Sequence, residues 1–164
     1  MYKRILVPVD GSPLARRAAE DGIALARTLG AEVVVLMVTE PYQFIFTYAG
    51  EIPVAFPDPV TYEAQVKRSA QKHVGAVAKA AIAAGVSCRE LIVSAAPAAG
   101  AIVAAAKRQK CDLIVIGSHG RGGLGQLLLG SVTSKVLASC HVPVLVHRGR
   151  ARRVSSARRG ATPG

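Results

Sequence analysis

The sequence predicts an α/β fold, a single doubly wound domain. Its five-stranded parallel sheet takes the order 3-2-1-4-5, with helices on both faces. Three observations point there. At 164 residues the chain suits one domain and can bury a sizeable core. Half of its residues are hydrophobic but only 4% are aromatic, a mixture that suits helices packed on a buried sheet. Short β-rich runs also alternate with helical patterns along the whole chain, which implies right-handed crossovers between parallel strands.

The runs RILVPV (4–9), EVVVLMVT (32–39), CRELIVS (88–94), CDLIVIG (111–117) and VPVLVH (142–147) are continuous rather than alternating in apolar character, and so read as strands buried on both faces. Ser12 is a good N-cap and Pro13 suits the first helical position, so the first helix begins there. Its Leu14, Ala18, Gly22, Leu25 and Leu29 fall on one face, and Gly30 ends it. Further helices are expected over about 59–84, ending near Gly85, over about 97–109, and from Gly130 or Ser131 to Ser139. The segment 40–58 interrupts this rhythm. It holds all three phenylalanines, two of the four tyrosines and three interior prolines, and reads either as a functional loop or as a cover over an apolar edge.

Composition excludes some classes. The longest uncharged stretch, residues 91–106, is too short to span a membrane and contains Pro97 and Gly100. The N-terminus leaves no room for a signal segment before the first strand, which predicts a cytoplasmic protein. Cys88, Cys111 and Cys140 are scattered and read as small buried thiols, and the four histidines lack paired ligand spacing. The net charge of +11 is concentrated: six arginines and no acid lie from residue 148 onward, and without them fifteen basic and ten acidic residues leave +5. Residues 1–148 are therefore read as the folded domain and 149–164 as a disordered basic tail. The tail either holds nucleic acid or an acidic partner, or is simply solvated.

In a doubly wound sheet, ligands bind beyond the carboxyl ends of the strands, where the strand order reverses. PVDGS, VTEP and GSHG leave strands one, two and four at that edge. The last opens GSHGRGGLGQLLLGSVTSK, residues 117–135, with six glycines in nineteen positions. GRGGLG (120–125) satisfies GxGxxG, but it begins past the fourth strand and has no acid about twenty residues on. GQLLLGSV (125–132) has Ser131 where a Walker loop needs lysine. Instead, Gly117 and Gly120 let the chain leave the strand tightly. Gly130 and Ser131 open a helix whose free N–H groups favour an anion. Residues 121–129 form a flap between them, with Leu127–Leu129 anchoring it to the core. Arg121 and Lys135 add positive charge nearby.

G-S-H-G, nine residues, then G-S resembles the glycine signature of the ATP-binding branch of the universal stress protein family, and the likeness runs from RILVPVDGS to CHVPVLVHR. The resemblance implies ATP as ligand, with Mg²⁺ or Mn²⁺ held through its phosphates. Carried over by position, Pro8, Val9 and Asp10 line the adenosine side, with Asp10 near the ribose. Val38 presents backbone to the adenine. Ile116, Gly117, His119 and Gly120 follow the ribose and phosphates. Gly130, Ser131 and Val132 cap the phosphates, together with Thr133. The plainer alternatives are that Asp10 is a simple turn and cap residue in V-D-G-S and His119 an incidental loop histidine. The resemblance also implies a homodimer, in which the strand at 142–147 covers its edge with its own copy. The function expected is an ATP-binding regulator of stress response, a nucleotide-dependent switch with at most slow hydrolysis and no catalytic residue assigned. The alternatives are an ATPase or nucleotidyl-transfer enzyme using His119 or Asp10, and an interaction protein using the arginine-rich tail.

Overall fold

A computed structural model describes residues 1–42, 58–118 and 129–148. The aromatic segment at 43–57, His119, Gly120, most of the glycine-rich flap (121–128) and the tail from 149 lie outside the described residues.

The elements follow one another as β1 (Arg4–Val9), α1 (Pro13–Leu29), β2 (Glu32–Thr39), α2 (Pro59–Ala83), β3 (Cys88–Ser94), α3 (Ala98–Arg108), β4 (Leu113–Gly117), α4 (Ser131–Ser139) and β5 (Val144–His147). All pairings are parallel and the sheet order is β3-β2-β1-β4-β5, as expected. One core cluster packs α1 and α2 on one face around Val7, Val33, Val35 and Val115. The other packs α3 and α4 on the opposite face around Leu6, Val34, Leu36 and Ile114.

Three strands meet the expectation of burial on both faces, and two do not. β1 and β4 are buried along nearly their whole length and β2 through its middle, whereas the residues of β3 and β5 are half-buried or exposed. The two exceptions are the edges of the sheet, so helices and neighbours cover them incompletely. The thiols divide likewise: Cys111 is buried, while Cys88 and Cys140 are half-buried.

The buried stripe of α1 is also rotated from the one expected. It consists of Ala15, Ala18, Ala19, Gly22, Ile23 and Ala26, while Leu14, Leu25 and Leu29 are half-buried on its flank. Small side chains let the helix axis approach the sheet. A Cβ built at Gly22 would lie 2.9 Å from a Val7 methyl. Ser12 caps the helix by accepting from the Ala15 N–H at 3.1 Å, and Gly30 closes it in the left-handed region at φ +64°.

At the amino ends of the strands a polar cluster ties elements distant in sequence. Arg4 pairs with Glu32 at 2.8 Å and donates to the Gln109 carbonyl at 2.7 Å; Arg89 reaches Glu32 at 3.1 Å. Asp112 accepts from the backbone N–H groups of Lys3 and Arg4. This end of the sheet is fastened, and the opposite end holds the candidate site.

Candidate functional site

The central ladder of the sheet stops short. β1 stays in register with β2 from Arg4–Glu32 to Val9–Met37, and β4 with β5 from Ile114–Val144 to Gly117–His147. Between β1 and β4, however, pairing is confined to Ile5–Leu113 and Leu6–Ile114. Pro8 has no N–H to offer such a ladder, so a proline inside a central strand is tolerated where the pairing has already ended. The strand order reverses between these two strands, and the break opens the sheet where doubly wound folds receive ligands.

On the β1 side, Pro8 and Val9 are buried and Asp10 is half-buried. Asp10 Oδ1 accepts from the Ser12 N–H at 2.9 Å, and Gly11 between them has φ +83°, a conformation glycine adopts without strain. The turn-forming role weighed for Asp10 is therefore present. It occupies one carboxylate oxygen and aims the cap of α1.

On the β4 side, Ile116 and Gly117 are buried in the last turn of the strand's pleat, and Ser118 is 2% exposed. Three bonds stitch the chain there. The Ser118 N–H donates to the His147 carbonyl at 2.8 Å, the Gly130 N–H donates to the Ser118 carbonyl at 2.7 Å, and Thr133 Oγ1 donates to the Gly117 carbonyl at 2.8 Å. Ser118 and Gly130, which flank segment 119–128, are thus held together. Thr133 is 2% exposed, so its hydroxyl is a buried latch. Ser118 was not singled out in the sequence, although it sits inside the G-S-H-G signature.

Gly130 is the N-cap of α4 and has no side chain to cap it. The first turn, Ser131 to Thr133, presents backbone N–H groups at the positive end of the helix dipole, beside the break in the ladder. Ser131 and Val132 are exposed, as is Lys135 one turn on. Leu129 is 41% exposed, which corrects its expected role in anchoring the flap to the core: the short tether to Ser118 holds it at the surface. His119, Gly120 and Arg121 lie outside the described residues. On β2, Val38 is half-buried and in register with Val93.

The His147 side chain pairs with Asp21 of α1 through Nδ1, while its carbonyl holds Ser118. Among the described residues no group of three or more His, Cys, Asp and Glu is placed to hold a metal ion, and no helix is long and apolar enough to cross a membrane. The two thiols with displaced pKa values lie at the opposite end of the sheet. Burial is the main cause for each, raising Cys88 and pushing Cys111 up to about 11.

This arrangement can be set beside known proteins. The sequence profile of the universal stress protein family matches residues 1–148. The chain belongs to the universal stress protein family. Universal stress protein MJ0531 of Methanocaldococcus jannaschii is 34% identical over 149 residues, covering 89% of this chain and 82% of the relative. The solved structure of MJ0577, whose biochemical function was assigned from its structure, shares the fold at TM-score 0.74 and 28% identity, covering 92% of this chain and 99% of that one. A universal stress protein solved in complex with cAMP has the same fold at TM-score 0.65 and 24% identity. The order of the sheet is that of an α/β fold shared with these relatives.

Proposed function

We propose that this protein is an ATP-binding regulator of stress response, a nucleotide-dependent switch with at most slow hydrolysis. The observation that carries this reading is the uncapped first turn of α4, opening on Gly130 beside the break between β1 and β4. Backbone N–H groups on a helix dipole are a ready anion site, and a polyphosphate is the anion that fits a glycine-rich approach. The phosphates sit at Gly130, Ser131 and Val132, and the ribose lies by Asp10. The adenosine side runs along Pro8 and Val9 toward the backbone of Val38. Ile116, Gly117, His119 and Gly120 line the path between. The family includes a member of this fold solved with cAMP, an adenine nucleotide, which is consistent with the ligand class.

A divalent cation, Mg²⁺ or Mn²⁺, is held chiefly through the phosphates, with Thr133 close by but its hydroxyl proton engaged at Gly117. The engagement of Asp10 Oδ1, the carboxylate in the β1 turn, by the Ser12 N–H supports the reading of slow turnover, since phosphoryl transfer depends on positioned groups. The protein works in the cytoplasm as a homodimer, its β5 edge meeting a second copy.

Calorimetric titration of ATP with Mg²⁺ into wild type and Gly130→Glu tests the site. Gly130 has φ −62° and ψ 155°, which any residue adopts, so the variant adds a carboxylate without backbone strain. A charge this close to bound phosphate weakens affinity on the order of 100-fold or more. Wild type that does not bind, or a variant that binds equally, refutes the reading.

A further inference from the structure

We infer that Asp21 is a positioning residue for the phosphate site: by holding the His147 side chain on the α1 face of the sheet, it fixes the end of β5 and, through it, the backbone that sets the first turn of α4. This rests on the reading of the edge as a nucleotide site and names a residue of α1 that tunes its affinity from outside it.

β5 is the shortest strand. It has four residues, lies at the edge of the sheet and pairs with β4 alone. Its last pair, Gly117–His147, has a neighbour on one side only, and such strand ends open at little cost in free energy.

Yet the site hangs on this last pair. The Ser118 N–H donates to the His147 carbonyl at 2.8 Å, and the Gly117 carbonyl accepts from Thr133 Oγ1 at 2.8 Å. These two groups belong to one peptide unit, which is planar, so a tilt that follows His147 turns the Gly117 carbonyl away from Thr133. A second link leaves from the same residue: the Ser118 carbonyl accepts from the Gly130 N–H at 2.7 Å. Gly130 is the N-cap of α4 and Thr133 lies in its first turn, so both links end where the phosphates are proposed to bind.

Alternation along β5 puts the His147 ring on the other face. Val144 and Val146 pack into the cluster under α3 and α4, while Leu145 lines a groove against α1. His147, two residues on, points the same way as Leu145 and meets Asp21 through Nδ1. Asp21 lies seven residues after Leu14 and four before Leu25, on the half-buried flank of α1. The His147 side chain is 19% exposed and that of Asp21 57%, so the carboxylate caps a ring that is mostly covered. Among the described residues no lysine or arginine pairs with this carboxylate. α1 itself is firmly seated, capped at both ends and packed on β1 and β4. The pair therefore ties an edge strand to an anchored helix, and the backbone of β5 and β4 carries that tie across the sheet to α4.

A site competent for only a fraction of the time binds more weakly by that fraction. An exposed pair of this kind holds its strand end by a factor of up to about five.

Asp21→Ala, His147→Val and the double variant are titrated calorimetrically with ATP and with inorganic tripolyphosphate, each with Mg²⁺, and amide exchange is followed by NMR. The expected result is a loss of about three- to fivefold for both ligands in each single variant, and no further loss in the double, because one interaction is removed once. The Ser118 and Gly130 amides exchange faster in Asp21→Ala, and those of Val33–Leu36 in the core of β2 do not. Unchanged affinity in Asp21→Ala, losses that add in the double variant, or Ser118 and Gly130 amides as protected as in wild type overturn the positioning role and leave the nucleotide site standing. Faster exchange in β2 as well overturns it too, because the pair would then be holding the whole fold. Wild type that binds neither ligand overturns the nucleotide site itself and this inference with it.

Discussion

Replacing Thr133 by valine keeps the β-branched shape and removes one hydroxyl. Thr133 is 2% exposed, and its hydroxyl donates at 2.8 Å to the carbonyl of Gly117, which is itself buried. Helix propensities of threonine and valine are close, so the change acts almost wholly through this bond. A buried carbonyl left without its donor costs about 1–3 kcal/mol. With a urea m-value of about 1–3 kcal/mol/M for a domain of this size, the unfolding midpoint falls by roughly 1 M. Thr133→Ser keeps the bond and loses one methyl, at about 1 kcal/mol. Equilibrium urea unfolding followed by circular dichroism should therefore rank the proteins wild type, Thr133→Ser, Thr133→Val. Because the same bond ties α4 to β4 at the root of segment 119–128, ATP affinity measured by calorimetry should fall in Thr133→Val and hold in Thr133→Ser. A valine variant as stable as wild type, or more stable than the serine variant, refutes the latch.

Three further outcomes are expected. Gly22→Ala places a methyl 2.9 Å from Val7, which is fully buried, so overpacking of about 1–3 kcal/mol should outweigh the gain of up to about 1 kcal/mol in helix propensity, and Val7→Ala in the same chain should recover part of the loss in urea melts. Cys111 releases its proton near 9.0 when unfolded but only near 11 when folded, because burial disfavours the thiolate. Its contribution to stability is complete below pH 9 and lost as pH rises toward 11; Cys111→Ala should flatten that part of a pH series of melts, and iodoacetamide at pH 8 should alkylate Cys111 slowly in the folded protein. Leu145 is 42% exposed on the β5 edge and lines an open groove with Ala24, Leu25 and Thr28 of α1, so Leu145→Lys should convert a dimer to a monomer by light scattering. A wild-type monomer at high concentration would remove the dimer from the proposed function.

The fold was legible because its signals are local. Ser12 and Pro13 start α1 and Gly30 ends it through backbone angles that these residues set largely by themselves. The β-rich runs match the strands to within two residues. The candidate site was legible in part for the same reason: a helix opening on glycine without a capping side chain can be read from G-S-V-T alone.

Hydrophobicity misled where size mattered. Leu14, Leu25 and Leu29 look like the buried face of α1, but the sheet takes the alanines and Gly22, because close approach gains contact for the whole helix. Nor does an apolar run say whether it lies at the centre or the edge of a sheet, so β3 and β5 read as buried as β1. The residues of this chain determined by themselves where elements begin and end, their order, and the glycines at the ligand edge, since each depends on a few neighbours and on allowed backbone angles. Tertiary structure alone decided that Thr133 latches Gly117, that Pro8 falls where the central ladder has stopped, and that His147 pairs with Asp21. Those pairings join residues 16 to 126 positions apart, and only the packed sheet brings them within reach of a hydrogen bond or beyond the end of a ladder.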